Sequence, residues 1–140
     1  METLTTDLEM KKLATDCIEY ANGYYMALLR GLTSSKRFNN DLRYNMAVMC
    51  VEKYFVGLLA SYDQHAEHHM PQALFNETKA VEPELTDTMK QTCILVGKFE
   101  AICSLEGFGY RTPTDADIEQ MITGIGEIKA LVEKRINSLG

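Results

Sequence analysis

The chain has no tryptophan and only three prolines in 140 residues. That excludes a collagen-like or proline-rich scaffold. No run of about 20 uncharged apolar residues occurs, so no membrane span is expected. The nearest approach, Met46–Tyr62, is interrupted by Glu52 and Lys53. Basic residues are the minority, 14 against 20 acidic, giving a net charge of −6. Such a balance makes a poor general binder of nucleic acid, because phosphate affinity comes from clustered Lys and Arg. Strand-type alternation is missing, and so are Gly-x-Gly-x-x-Gly, Walker-type and Gly-x-Ser-x-Gly motifs. The first residues, Met1-Glu-Thr-Leu-Thr-Thr-Asp7, carry no basic region followed by an apolar run, so no secretory leader is read there. The four cysteines, Cys17, Cys50, Cys93 and Cys103, include no Cys-x-x-Cys pair. They read as small buried hydrophobes in a reducing cytoplasm.

What is present is helical periodicity. The apolar fraction of 46% and charged fraction of 24% suit one globular domain over 1–140. A first helix is expected from Asp7 to Leu32, with Ala14, Cys17, Ile18, Ala21, Tyr24, Tyr25, Leu28 and Leu32 on one face and Gly31 as its stop. A second runs from Asp41, a candidate N-cap, to Ala66. Its stripe is Tyr44, Ala47, Val48, Val51, Tyr54, Phe55, Leu58 and Tyr62. Met46, Met49, Cys50, Val56 and Leu59 widen that stripe almost all round, as in a central helix or one that also faces a partner subunit. Pro71 opens a short helix carrying Ala73, Leu74 and Phe75. Pro83 is expected to open a long helix reaching Leu105, with Leu85, Met89, Cys93, Val96, Phe99, Ile102 and Cys103 inward. Thr114, with Asp117 three residues on, caps the last helix. Its stripe is Ile118, Met121, Ile122, Ile125, Ile128, Val132 and Ile136, and Gly124 and Gly126 allow close helix packing. The expected fold class is all-α: an up-down four-helix bundle, with one additional short helix between the second and third long ones.

Four features offer chemistry. All three histidines fall in Asp63-Gln-His65-Ala-Glu67-His68-His69. On a helix, His65 and His69 lie one turn apart and can share a metal, with Glu67 or Asp63 adding an oxygen. The bland alternative is a solvated, polar helix end, since no complete ligand set accompanies them. Arg30, Lys36, Arg37 and Arg43 surround the first loop and can hold a phosphate or an acidic surface. They equally read as a solvated loop. Tyr110 and Arg111 precede the last helix, whose free amides would make a small anion site with Arg111. The alternative has Tyr110 packing on the bundle end and Arg111 exposed or paired. Glu52 and Lys53 must reach solvent or partners, and Glu52 is expected to bond a neighbouring tyrosine such as Tyr20, Tyr24 or Tyr25. No cofactor is called for.

The run Asn45-Met-Ala-Val-Met-Cys-Val-Glu52-Lys53-Tyr-Phe-Val-Gly-Leu58-Leu59 resembles the second helix of HEPN domains. His69-Met-Pro-Gln-Ala-Leu74 is similar in place to the family's His-x-Leu stretch. Tyr110-Arg111-Thr-Pro113-Thr114-Asp115-Ala-Asp117 resembles the Tyr-x-x-Pro-Thr-x-Glu-Asp-Ala that precedes the family's last helix. The resemblance implies an up-down bundle that often dimerises, and either RNase activity or partnership with nucleotidyltransferase-like proteins. The nuclease members use Arg-x(4–6)-His, with a base for the ribose 2′-OH and a cation near the phosphate. This chain departs from that. Arg111 meets Ala116, Asp117 and Ile118; Arg43 meets Val48, Met49 and Cys50. Arg37 and Arg30 fare no better. The expectation is therefore a cytoplasmic, homodimeric, non-catalytic interaction module, with a protein partner of nucleotidyltransferase type. One alternative is a metal-independent ribonuclease around Arg111, and another a metal site through His65, His68 and His69. Arg37, Arg43, Tyr110 and Arg111 are the anion- or nucleotide-binding candidates.

Overall fold

The computed structural model describes residues 2–33, 40–106 and 113–138, with side chains for 8–30, 40–99 and 113–138. Five helices and no strand occur among them: α1 (Glu2–Thr33), α2 (Asn40–Ser61), α3 (Pro71–Lys79), α4 (Asp87–Glu106) and α5 (Asp115–Asn137). No helix among the described residues is long and apolar enough to cross a membrane.

The expected apolar stripes turn inward. Ala14, Ile18, Ala21 and Leu28 on α1 are buried, as are Val51, Tyr54, Phe55 and Leu58 on α2. Met89, Cys93, Val96 and Phe99 on α4 join Ile118, Met121, Ile125, Ile128 and Val132 on α5 in the same core. α2 is the central element, packed against α1, α5, α3 and α4, while α1 and α4 share no contact among the described residues. Buried neighbours on so many sides explain why its sequence is apolar around most of its circumference.

Close approach is written in two glycines. A Cβ on Gly57 would lie 3.2 Å from the Ala14 carbonyl oxygen, the Cys17 Cβ and the Ile18 Cγ1, so α2 seats its backbone on α1. A Cβ on Gly124 would overlap the Thr92 side chain, which lets α5 press against α4. Two tyrosine hydroxyls inside this core find acceptors. The Tyr44 hydroxyl donates to the Val96 carbonyl at 2.8 Å, and the Tyr54 hydroxyl to Asn22 Oδ1 at 2.5 Å. Edge-on rings, Tyr44 to Phe99 and Phe55 to Phe75, fill the space among α2, α3 and α4.

Several boundaries differ from expectation. α1 runs through Gly31 rather than stopping there. α2 starts at Asn40, which places Asp41 in its first turn and not at the cap. It ends at Ser61, five residues short of Ala66. Asp63 takes a left-handed conformation, φ 63°. Its N–H bonds the Ala60 carbonyl at 2.9 Å, while the Gln64 N–H reaches back to Leu59 at 3.0 Å. Those paired bonds are a Schellman end. α4 begins at Asp87, not Pro83. The Thr86 hydroxyl accepts from the Met89 N–H at 3.2 Å and starts the helix, because Glu82 and Glu84 are drawn away toward α5. The start of α5 is as the sequence reads: Thr114 and Asp117 form both bonds of a capping box.

Candidate functional site

Of the anion-site candidates, only Arg43 has a described position. Its side chain is 5% exposed, packed at the start of α2. Nη1 donates to Asn40 Oδ1 at 3.2 Å and lies 3.9 Å from Asp115 Oδ1. Asn40 in turn donates to the Pro113 carbonyl and to Asp115, both at 2.9 Å. Arg43 thus joins the α2 and α5 starts, and its charge is directed to the exposed carboxylate of Asp115. Arg30 is exposed in the last turn of α1. Lys36, Arg37, Tyr110 and Arg111 lie outside the described residues, as does the side chain of Cys103.

The histidines are not on a helix. α2 ends before them, so the one-turn spacing that would bring His65 to His69 does not exist. All three are exposed in the 62–70 connection. His68 and His69 turn to different carboxylates: His68 Nδ1 is 3.1 Å from Glu77 Oε1, and His69 Nδ1 is 3.7 Å from Glu52 Oε1. Glu77 also accepts from the Glu67 N–H at 2.9 Å and so ties the connection to α3. Burial alone would raise the Glu77 carboxyl, but the Glu67 amide and His68 outweigh it and hold it below its ordinary range. Among the described residues no three His, Cys, Asp or Glu side chains converge as a metal site. Glu52 meets His69 rather than the expected tyrosine.

The densest polar cluster is one that local sequence patterns do not flag. Glu82 is fully buried. Its carboxylate accepts from Arg135 Nε at 2.7 Å, Arg135 Nη2 at 3.0 Å, the Tyr62 hydroxyl at 2.7 Å and the Glu84 N–H at 2.9 Å. Arg135 Nη2 also bonds Glu84 at 2.7 Å, and Lys134 bonds Glu84 at 2.8 Å. The guanidinium lies over the Tyr62 ring, 5.9 Å from its centroid. Burial pushes the Glu82 carboxyl up, yet the Arg135 and Tyr62 hydrogen bonds, the Glu84 amide and the Arg135 charge together hold it below the usual carboxylate range. Tyr62 is raised to about 12, by burial first and then by its bond to Glu82. The cluster ties the end of α2, the α3–α4 connection and the end of α5. Each acceptor is spent on an internal donor, which is the chemistry of a structural clamp. The only signal in the sequence was complementary charge: Glu82-Pro-Glu84 against Lys134-Arg135.

Reactive groups are otherwise muted. Cys17, Cys50 and Cys93 are free and buried, and burial raises the Cys50 and Cys93 thiols to about 12. They pack rather than react. A cleft of about 420 Å³ opens between α4 and α5, lined by Thr88, Gln91, Thr92, Glu119, Thr123 and Glu127 among others. Its rim is polar and no basic group lines it.

The remaining feature is apolar. One side of α2 is left partly open. Leu42, Met49 and Val56 fall at seven-residue intervals, about two turns each, and so line up along the helix. Leu42 is 40% exposed, and Met46, Met49 and Val56 are half-buried. Asn45 is exposed beside them, and Glu52 and Lys53 are half-buried. Exposed Tyr20 on α1 and Met70 before α3 are further large apolar side chains. Compared with known proteins, the chain matches no protein-family model, no curated protein and no solved structure.

Proposed function

We propose that this protein is a HEPN-like interaction module without catalytic activity, working as a homodimer in the cytoplasm. The observation that carries this reading is the open apolar strip of α2, Leu42, Met46, Met49 and Val56, on the helix that otherwise anchors the core. A helix held on its other sides by its own chain presents such a strip in a fixed shape, and a rigid apolar face costs little to order on binding. The up-down order of the four long helices belongs to the same reading. It is supported by the Asn40–Asp115 bond joining the starts of α2 and α5 and by the Tyr62–Glu82–Arg135 cluster joining their ends. The motif resemblance adds a second class of partner, a nucleotidyltransferase-like protein.

Sedimentation equilibrium on the full chain, from low micromolar concentration upward, tests the reading. A reversible monomer–dimer equilibrium is expected, and a monomer at every concentration overturns self-association. Incubation with RNA without added metal tests the absence of catalysis. Uncut RNA is expected. Cleavage that Arg111→Ala abolishes overturns the non-catalytic reading and establishes the ribonuclease.

A further inference from the structure

We infer that two copies of this chain pair through the open strip of α2 with their α2 helices parallel, each Glu52 facing the partner's Lys53. The inference rests on the self-association proposed above and adds to it the surface and the direction of pairing.

Glu52 and Lys53 are adjacent in sequence, so they point about 100° apart around the helix. The Leu42–Met49–Val56 line falls between those directions. The strip therefore has one acidic and one basic edge at the same level. The Glu52 edge borders the 62–70 connection, where His69 lies 3.7 Å away and the 42% exposed Met70 follows it. The Lys53 edge borders α1. Burial raises the Cys17 thiol there; the Lys53 charge acts against that rise, and more strongly than Glu52 adds to it. Tyr20, three residues past Cys17 and so near it on the α1 surface, is 64% exposed.

Two-fold symmetry allows two arrangements of such a strip. An axis parallel to α2 brings the acidic edge of one copy against the basic edge of the other, on both sides. It also brings the Tyr20 side of one copy toward the Met70 side of its partner, a sulfur–aromatic pairing. An axis perpendicular to α2 at the level of Glu52 and Lys53 places Glu52 against Glu52 and Lys53 against Lys53. Opposite charges attract and like charges disfavour the encounter, so charge selects the parallel arrangement. Three methionines, Met46, Met49 and Met70, give the surface the adaptability to close around a second copy.

Charge reversal tests the direction. Sedimentation equilibrium compares the full-length wild type, Glu52→Lys, Lys53→Glu and the double exchange. Each single reversal turns two attractive pairs into repulsive ones and is expected to weaken dimerisation about tenfold, on the scale of partly exposed ion pairs. The double exchange restores both pairs and is expected to return the constant to within about twofold of wild type. A wild-type dimer unmoved by the single changes, or a double exchange that fails to recover, overturns the parallel pairing and leaves self-association standing. A wild type that stays monomeric removes both. Should the variants fold poorly, the wild type alone decides. Added salt screens attraction and weakens a parallel dimer, whereas it relieves repulsion and strengthens an antiparallel one.

Discussion

Glu82 shows how one residue sets the shape of a whole end of the molecule. A carboxylate with no exposure to water would ordinarily be expelled or neutralised. Here a bidentate guanidinium, a phenol and a backbone amide fill its acceptor sites. Removing one partner of such a pair leaves the other charge uncompensated, which costs more than the pair itself contributes. Glu82→Leu is therefore expected to lower unfolding stability by about 3 kcal/mol in a urea titration. Adding Arg135→Met should recover a large part of that loss, because an apolar pair needs no compensation. The same carboxylate carries a pH dependence. Its folded-state pKa lies below its ordinary value, so the unfolded chain takes up protons first as pH falls. The stability it contributes is complete above the unfolded carboxylate range and is lost as pH drops through the folded value. Urea midpoints should fall from pH 6 toward pH 3, roughly the carboxylate titration range, and Glu82→Leu/Arg135→Met should flatten that slope.

At the scale of elements, what sequence reveals is governed by whether a boundary is set locally or from afar. The α5 start is local. Thr114 and Asp117 cap each other within one turn, and the residues alone announce it. The end of α2 is local too but ambiguous, since Tyr62 to Ala66 can continue a helix. It is Asp63 in the left-handed region that stops it, a place where glycine is the usual residue. Asp63→Gly should thus stabilise by about 0.5 to 1 kcal/mol in thermal melts. The start of α4 is set from afar. Pro83 has every local credential for a helix start, yet Arg135 and Lys134, some fifty positions away, hold Glu82 and Glu84 and delay the helix to Asp87. The histidine pairing fails at the same point, because only a helix continued through His69 would have stacked His65 toward it. Close packing was legible at Gly124 because a glycine in a helix needs a reason. Gly124→Ala places a methyl inside Thr92, and α4 and α5 must separate. A loss of about 2 kcal/mol is expected despite the better helix propensity of alanine. Thr92→Ala in the same chain should recover most of it, read by chemical denaturation.

At the scale of the whole molecule, the composition of α2 has two causes that the sequence could not separate. Most of its apolar residues are consumed internally, by α1, α3, α4 and α5. Leu42, Met46, Met49 and Val56 remain partly open together on one side, with Val48 partly open farther round, and the grouped remainder is what an interaction surface requires. The two causes respond differently to protein concentration. Core burial within one chain is independent of it, while a dimer adds stability by mass action, roughly 1.4 kcal/mol at a concentration ten times the dissociation constant. For a chain of this size that corresponds to a rise in melting temperature of about 4 °C. The melting temperature of the wild type should therefore climb as protein concentration rises through the association range. Met49→Lys puts a charge in the centre of the strip, at a half-buried position whose lysine stem can still lie along the helix while its ammonium reaches water. That variant should keep the dilute-solution melting temperature of the wild type and lose the climb. A wild-type melting temperature that stays flat would assign the whole of α2 to the core, while a Met49→Lys variant that still climbs would move the interface elsewhere on the molecule.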